Sequence, residues 1–247
     1  MGRTTYLSEL FYSIQGEGVT RGKPSVFARF AHCNLMCGGH NADLVKRGKA
    51  TWWCDSETVW RSGEKVTVDD VIRKLKDMGE YQNIQDGITN LILTGGEPTM
   101  PSTAEFLLGL VMNFDYYAFI EIETNGTLLN SFAEDLLGRV DQINCSPKLA
   151  NSGMPRSQRI NEKAIEYINE LDNSWFKFVV SSDEDWEEIK EDYLPLIDRE
   201  KIILMPAVDN FDDVQEAFKK IWLLGQQEHL LITNRDHIVA WNRVTGV

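Results

Sequence analysis

The residues Cys33-Asn34-Leu35-Met36-Cys37 and Trp53-Cys54-Asp55-Ser56 carry three of the four cysteines of this 247-residue chain. Sixteen residues separate the second cysteine from the third. Thiolates are soft ligands for iron and zinc, and the first two cysteines are spaced so that one loop can surround a metal centre. Three thiolates suit an iron-sulfur cluster that leaves one iron without a protein ligand. Such an iron can bind a small-molecule cosubstrate.

The same stretch is also compatible with a zinc site. His40 follows Cys37 by three residues, so Cys33, Cys37, His40 and Cys54 together make a possible Cys3His ligand set. Unligated thiols are a third interpretation. Spacing alone leaves these three interpretations open.

Composition limits the classes of function. Acidic residues outnumber basic ones, 38 against 25, and the formal charge of −13 disfavours a surface that binds nucleic acid through phosphate contacts. The first residues, 1–6, lack the apolar core of a signal peptide, and no run reaches membrane-spanning length. Clustered cysteines are not typical of a secreted disulfide framework, so we expect a cytoplasmic protein. Without repeats or linkers, residues 1–247 are predicted to form one domain.

Short β-branched or aromatic runs alternate with longer helical patterns, which predicts an α/β fold of parallel strands joined by crossover helices. The predicted strands are residues 25–30, 90–93, 118–122, 142–145, 176–180 and 202–205. The predicted helices begin near Thr67, Ser102, Asn161, Asp183 and Asn210. Thr67 with Asp70, and Asn210 with Asp213, resemble helix capping boxes. Residues 11–19, punctuated by glycine, are predicted to form a loop.

Polar residues follow several of the predicted strands. They are Thr94-Gly95-Gly96-Glu97-Pro98, Glu123-Thr124-Asn125-Gly126-Thr127 and Ser146-Pro147-Lys148. The carboxyl ends of parallel strands meet at one edge of a sheet, so we expect these segments to share a site. Any one segment alone is equally well explained as a turn.

Each segment suggests a ligand chemistry. The two glycines let backbone approach a ligand closely, and the carboxylate of Glu97 suits an ammonium group. Glu123 and Asn125 offer acceptors for hydroxyl groups and an amide for a carboxylate, and Ser146 with Lys148 suits an anion. In the amino-terminal loop, Gln15 and Glu17 present donors and acceptors for the edge of a polar heterocycle.

Together these motifs resemble the radical S-adenosylmethionine (SAM) superfamily and, within it, the 7-carboxy-7-deazaguanine synthases. The resemblance begins at Phe11-Tyr12-Ser13-Ile14-Gln15-Gly16-Glu17-Gly18 and continues through Phe27-Ala28-Arg29-Phe30, Cys33-Asn34-Leu35 and the three strand-end segments. Arg235-Asp236-His237-Ile238 is a fainter match. The motifs occur in the expected order over most of the chain.

The resemblance implies a partial (β/α) barrel of about six parallel strands, usually in a homodimer, with an expanded cluster-binding loop at about 33–64. It implies a 4Fe-4S cluster on Cys33, Cys37 and Cys54, with SAM on the fourth iron, and Mg²⁺ bound by Ser56. The implied SAM-binding residues are Gly95, Gly96, Glu97, Glu123, Asn125, Ser146 and Lys148. The implied substrate-binding residues are Gln15, Glu17, Arg29, Thr94 and His237. No catalytic residue is implied beyond those that hold the cofactors.

The implied reaction converts 6-carboxy-5,6,7,8-tetrahydropterin into 7-carboxy-7-deazaguanine with loss of ammonia. A radical derived from SAM starts it, and an external reductant of the flavodoxin or ferredoxin type supplies the electron. A glycyl-radical-activating enzyme would share the cluster and the glycine motif, although it would lack the opening at 15–18. A zinc-stapled binding module is the non-enzymatic alternative.

The chain departs from the superfamily pattern in the spacing of its cysteines, at His40 and at His32. The usual spacing is Cys-x3-Cys-x2-Cys, and here His40 stands where the third cysteine is expected. We assign the third ligand to Cys54, because its flanking residues match the family. His32 replaces a glycine common before the first cysteine, and Cys145 is interpreted as a small buried thiol.

Overall fold

The computed structural model describes residues 3–246. Residues 1, 2 and 247 of the expected single domain lie outside this part, and its bounds stay a prediction. The strands are β1 (Thr4–Ile14), β2 (Pro24–Phe30), β3 (Glu64–Thr67), β4 (Asn90–Gly95), β5 (Ile120–Thr124), β6 (Gln142–Cys145), β7 (Ser174–Val180), β8 (Ile202–Pro206) and β9 (Leu231–Ile232). They form one sheet in the order β3-β1-β2-β4-β5-β6-β7-β8-β9.

The helices lie mostly between successive parallel strands. They are α1 (Asp43–Lys46), α2 (Glu57–Trp60), α3 (Val68–Asp77), α4 (Tyr81–Gln85), α5 (Pro101–Val111), α6 (Ser131–Leu137), α7 (Arg156–Arg159), α8 (Glu162–Glu170), α9 (Asp183–Asp192), α10 (Phe211–Glu228) and α11 (Asp236–Trp241). Among the described residues, no helix is both long enough and apolar enough to cross a lipid bilayer.

The predicted capping box is present at Thr67, whereas at Asn210 the side-chain cap is present and Asp213 accepts from the Asn210 side-chain amide instead of its backbone N–H. The hydroxyl of Thr67 accepts from the backbone N–H of Asp70 at 3.2 Å, and the carboxylate of Asp70 accepts from the backbone N–H of Thr67 at 3.0 Å. The side chain of Asn210 accepts from the backbone N–H of Asp213 at 3.1 Å. These caps begin α3 and α10 where the sequence predicted.

The sheet has two different faces. Successive side chains of its parallel strands point to opposite faces, so Leu91 and Leu93 of β4 join the core beneath the helices. The same core takes Ile120 and Ile122 of β5, and Phe176 and Phe178 of β7. The residues between them point to the opposite face. That face carries Arg29, Thr94, Glu121, Glu123, Asn144 and Lys177, and so one side of this sheet is polar and charged.

The predicted α/β class is confirmed, although the strand set is larger than expected. Strands β2 and β4 to β9 are parallel, and β1 and β3 add two antiparallel strands beyond β2. The predicted loop at 11–19 was wrong in its first part, because residues 11–14 belong to β1 and pair with β2. The rings of Phe11 and Phe27 stack across these two strands at 5.1 Å. The loop begins only at Gln15.

Candidate active site

The carboxyl ends of the parallel strands open into one cavity of about 900 Å³. Fifteen of the sixteen site residues predicted from the sequence line it, and Glu97 is the exception. The fifteen are Gln15, Glu17, Arg29, Cys33, Cys37, Cys54, Ser56, Thr94, Gly95, Gly96, Glu123, Asn125, Ser146, Lys148 and His237. The structure therefore brings together segments from the whole length of the chain.

Three thiols reach this cavity from the cysteine loop, which we define as residues 33–63. Cys33, Cys37 and Cys54 are free thiols, and the backbone N–H of Cys54 donates to the carbonyl of Cys37 at 3.2 Å. Burial, with nearby acidic groups, raises the pKa of Cys33 to about 12, and burial raises that of Cys37 to about 11. A positively charged metal centre would favour loss of these protons. Three soft donors that line the same cavity suit an iron-sulfur cluster.

His40 lies apart from the three thiols. Its imidazole is 62% exposed, and Nδ1 is 3.7 Å from the carboxylate of Glu57 and also contacts Arg61. Within residues 3–246, no set of three or more His, Cys, Asp or Glu side chains is arranged to hold a single metal ion. His40 is not among the residues that line the cavity with the three thiols, so its position does not favour the Cys3His zinc interpretation.

Close backbone contacts shape the cysteine loop. A Cβ added to Gly38 would lie 2.5 Å from Cα of Trp53. Glycine therefore allows the segment that contains Cys37 to pack closely against the segment that contains Cys54. His32 has φ of 75°, a left-handed conformation that favours glycine, the residue that the resemblance implies at this position. Its backbone N–H donates to the carbonyl of Trp60 at 2.8 Å.

The opposite side of the cavity is the strand-end wall, which we define as residues 94–97, 123–125 and 146–148. A Cβ on Gly95 would lie 2.1 Å from the carbonyl oxygen of Phe30, and one on Gly96 would lie 1.7 Å from that of His32. The close approach that these glycines permit is therefore to the chain leading into Cys33. The sequence interpretation had attributed it to a ligand.

Glu97 is placed differently from the expectation. It is 2% exposed, and its carboxylate accepts bonds from the backbone N–H of Thr99 and Asn125 at 2.9 and 2.7 Å. The hydroxyls of Thr99 and Thr124 donate to it at 2.6 and 2.7 Å. These four donors turn the carboxylate into the protein, so it joins the ends of β4 and β5. Its predicted contact with the SAM ammonium stays a prediction.

Asn125 and Lys148 present polar groups beside the thiols. The amide of Asn125 donates to the side chain of Asn34 at 3.0 Å and lies 3.9 Å from Sγ of Cys33. Nζ of Lys148 donates to Ser146 at 3.0 Å and lies 5.8 Å from the ring of Trp52. Among the described residues, no carboxylate forms an ion pair with Lys148. An anionic ligand would find a cation here.

A second polar layer holds the amino-terminal loop, residues 15–23. The amide of Gln15 donates to Glu121 at 2.9 Å and to Glu123 at 3.3 Å, and Thr94 donates to Glu123 at 2.8 Å. Thr20 and Asn144 also donate to Glu121. Burial raises the pKa of Glu121 to about 7.

Glu17 is the centre of a charged network. Its carboxylate binds Nζ of Lys177 and accepts from Nε of Arg235 at 3.0 Å, and His237 lies 3.9 Å away. Burial alone would raise the pKa of Glu17, but the two cations outweigh burial and lower it. Burial lowers the pKa of His237, so its imidazole is neutral at neutral pH. Arg235 also contacts Asp55, the residue after Cys54.

Two predicted residues stand at the cavity edge. Nε of Arg29 donates to Glu9 at 3.1 Å, which orients the guanidinium. Oγ of Ser56 lies 3.5 Å from Sγ of Cys54, at the beginning of α2.

The sequence interpretation missed Glu9, Asp55, Glu121, Lys177 and, as a partner of Glu17, Arg235. A signal existed for two of them. Glu121 and Lys177 are charged residues that alternate with buried apolar residues inside strands, which indicates a polar second face of the sheet. The pairing of Arg235 with Glu17 and Asp55 has no local signal.

No protein-family model matches the chain. Individual relatives do match it. A 7-carboxy-7-deazaguanine synthase from Aquifex aeolicus is 32% identical over 219 residues, covering 86% of this chain and 82% of the relative. A 7-carboxy-7-deazaguanine synthase from Pyrobaculum aerophilum is 28% identical over 241 residues, covering 96% of this chain and 95% of the relative.

The fold also matches a solved structure. The crystal structure of QueE from Escherichia coli superposes with a TM-score of 0.63 at 19% identity, covering 94% of this chain and 93% of that chain. On the similarity to the Aquifex aeolicus relative, the chain is an enzyme of the 7-carboxy-7-deazaguanine synthase family.

Proposed function

We propose that this enzyme converts 6-carboxy-5,6,7,8-tetrahydropterin into 7-carboxy-7-deazaguanine, with loss of ammonia that balances the ring contraction. The observation that carries the proposal is the single cavity that three free thiols share with the predicted SAM-binding and substrate-binding side chains. Family membership implies the 4Fe-4S cluster and SAM. Bound at this site, they would supply the radical chemistry that starts the reaction.

The chain's own residues divide the cavity between the two ligands. In our proposal Cys33, Cys37 and Cys54 hold the cluster, and the strand-end wall binds SAM. Lys148 suits the methionyl carboxylate, because it is held by Ser146 and has no carboxylate partner among the described residues. Asn125 lies beside Cys33 and so can orient groups next to the cluster.

The substrate lies, in this proposal, against the amino-terminal loop. Gln15 and Glu17 face the heterocycle, Thr94 and His237 line its pocket, and Arg29 binds the carboxylate. A guanidinium held by Glu9 through Nε keeps its terminal N–H groups for bidentate binding. The network around Glu17 fixes its carboxylate before substrate arrives, which is the positioning that such a reaction requires.

We further propose that Mg²⁺ binds the hydroxyl of Ser56, a hard oxygen donor at the cavity edge. A Ser56→Ala variant should then need more Mg²⁺ for half-maximal activity, whereas an unchanged requirement would remove Ser56 from the site.

We propose also that the enzyme is a homodimer of single-domain chains in the cytoplasm, and that a flavodoxin or ferredoxin reduces it. Sedimentation velocity tests the dimer.

The decisive experiment is turnover by protein purified and reconstituted without oxygen. With dithionite, SAM, Mg²⁺ and the carboxypterin, mass spectrometry should detect the deazapurine and 5′-deoxyadenosine. SAM cleavage without a deazapurine would exclude this substrate. Arg29→Ala should raise the KM for the carboxypterin by about ten-fold or more and retain SAM cleavage, since only the carboxylate contact is lost.

A further inference from the structure

Arg235 joins three segments of chain at one edge of the cavity. It precedes α11, and its side chain is 13% exposed. Nε donates to Glu17 of the amino-terminal loop at 3.0 Å, and one terminal nitrogen contacts Asp55 of the cysteine loop. The other donates to the carbonyl of Val208 at 2.5 Å, after β8. One guanidinium therefore binds both loops at once.

The charges around Arg235 are balanced as a group. Glu17 and Asp55 are the carboxylates, and Arg235 and Lys177 are the cations. Among residues 3–246, Lys177 forms an ion pair with Glu17 and none with Asp55, so it cannot replace Arg235 between the two loops. Without Arg235, Asp55 loses its ion pair and the cysteine loop loses this link to Glu17.

Other contacts keep the carboxyl-terminal segment docked independently of Arg235. The backbone N–H of Asp236 donates to the carbonyl of Gly16 at 3.1 Å. Arg21 forms an ion pair with Asp236 at 3.2 Å, with both side chains nearly half exposed. Exposed pairs of this kind contribute little to stability, so Arg21 provides a control that joins the amino-terminal loop to the carboxyl-terminal segment without contacting the cysteine loop.

We propose that Arg235 is a positioning residue that couples the cysteine loop to the amino-terminal loop and so fixes Glu17 relative to the cluster-binding thiols. This inference rests on the proposed function, because it assigns Glu17 to substrate and Cys54 to the cluster. Arg235 acts through Asp55 and Glu17, and its loss releases both loops together.

The test compares Arg235→Gln, Arg235→Lys and Arg21→Gln with the parent chain. Hydrogen exchange of metal-free protein should quicken in peptides covering 15–23 and 52–60 for Arg235→Gln. In reconstituted enzyme, its iron content should stay near the parent value, while the KM for the carboxypterin and the 5′-deoxyadenosine formed per product each rise about ten-fold. Arg235→Lys should lie in between, because an ammonium keeps the charge without the planar fork. Arg21→Gln should match the parent.

Quicker exchange in only one loop would overturn the coupling, as would quicker exchange throughout the chain, which indicates general destabilisation. If the parent enzyme forms no deazapurine, the proposed function fails, whereas the exchange measurement still decides whether Arg235 couples the loops. If Arg235→Gln does not fold, Asp55→Ala removes the same link from the other side. It should quicken exchange in both peptides, and unchanged exchange would again overturn the proposal.

Discussion

The two sides of the cavity are built in different ways. The strand-end wall follows from strand pairing: the backbone N–H of Ser146 donates to Thr124 at 2.7 Å, and that of Gly96 donates to Phe30 at 2.9 Å. The cysteine loop instead turns through left-handed conformations at Gly38, Gly39, Asn41 and Ala42. The register of the paired strands fixes the position of the strand-end wall, whereas close contacts with the rest of the fold fix the positions of the thiols. The four predictions that follow test this difference, beginning with the largest effect.

The first prediction concerns the thiol side. Cys54→Ala should lower bound iron and sulfide by about ten-fold or more after anaerobic reconstitution, because two thiols do not hold the cluster. His40→Ala should bind as much iron as the parent, since its imidazole lies outside the cavity beside Glu57. Iron and sulfide analysis with electron paramagnetic resonance measures both. The opposite pattern would transfer the third ligand to His40.

The second prediction concerns the wall. Gly96→Ala should lower the free energy of unfolding by about 3 to 5 kcal/mol, because the new Cβ overlaps the carbonyl oxygen of His32. Gly109→Ala is the control. Gly109 lies inside α5, where alanine should stabilise the fold by about 0.5 to 1 kcal/mol, and the new Cβ would lie 3.7 Å from the side chain of Val68. Urea unfolding measures both changes. A loss below that of ordinary surface variants would show that the wall yields as readily as the loop.

The third prediction concerns pH and the layer beneath the cavity. The pKa of Glu121 is about 7 in the folded chain, above its ordinary value of 4.5, because of burial. Only the folded state keeps this proton between those values, so the contribution of Glu121 to stability falls as pH rises and levels off above pH 7. Glu121→Gln removes the titration.

Relative to the parent, Glu121→Gln should therefore gain about 1 to 3 kcal/mol of stability between pH 5 and pH 8. Urea unfolding at both pH values measures the gain, and Glu200→Gln, on an exposed side chain, should show none. A pH-independent difference between parent and Glu121→Gln would mean that the three donors around this carboxylate keep it ionised.

The fourth and smallest effect concerns the anchoring of the cysteine loop. The indole N–H of Trp52 donates to Asn151 at 2.8 Å, and Asn151 in turn donates to the carbonyl of Val179 at 2.9 Å. Trp52→Phe should lower the free energy of unfolding by about 1 kcal/mol, the loss of one hydrogen bond. Trp222→Phe, half exposed on α10, should change it less. A loss equal to that of Gly96→Ala would erase the contrast between loop and wall.

Local patterns were enough to predict most of the parallel sheet. Residues 142–145 were predicted as a strand and are one, α3 and α10 follow the capping residues that were singled out, and α8 begins near Asn161 as predicted. Strand β1 was missed because its alternation is irregular and its partner is β2 in an antiparallel pair. Pairing of this kind depends on tertiary contacts, which a single strand does not encode.

The candidate site shows the same division. The strand-end segments were predicted together because parallel strands end at one edge, and the structure brings them to one cavity. The link from Glu17 to Lys177 spans 160 residues, and the link to Arg235 spans 218. No local pattern relates such distant residues, so the charged network became visible only in three dimensions.

The burial of Glu97 determines which side of the cavity can change shape. Separating the ends of β4 and β5 would strip this carboxylate of four donors in the interior, and an unsatisfied buried charged group is expensive. The strand-end wall is therefore expected to keep its conformation when a ligand enters the cavity. Any widening of the cavity is therefore expected on the other side, where Arg235, at the start of the last helix, contacts Asp55 of the cysteine loop.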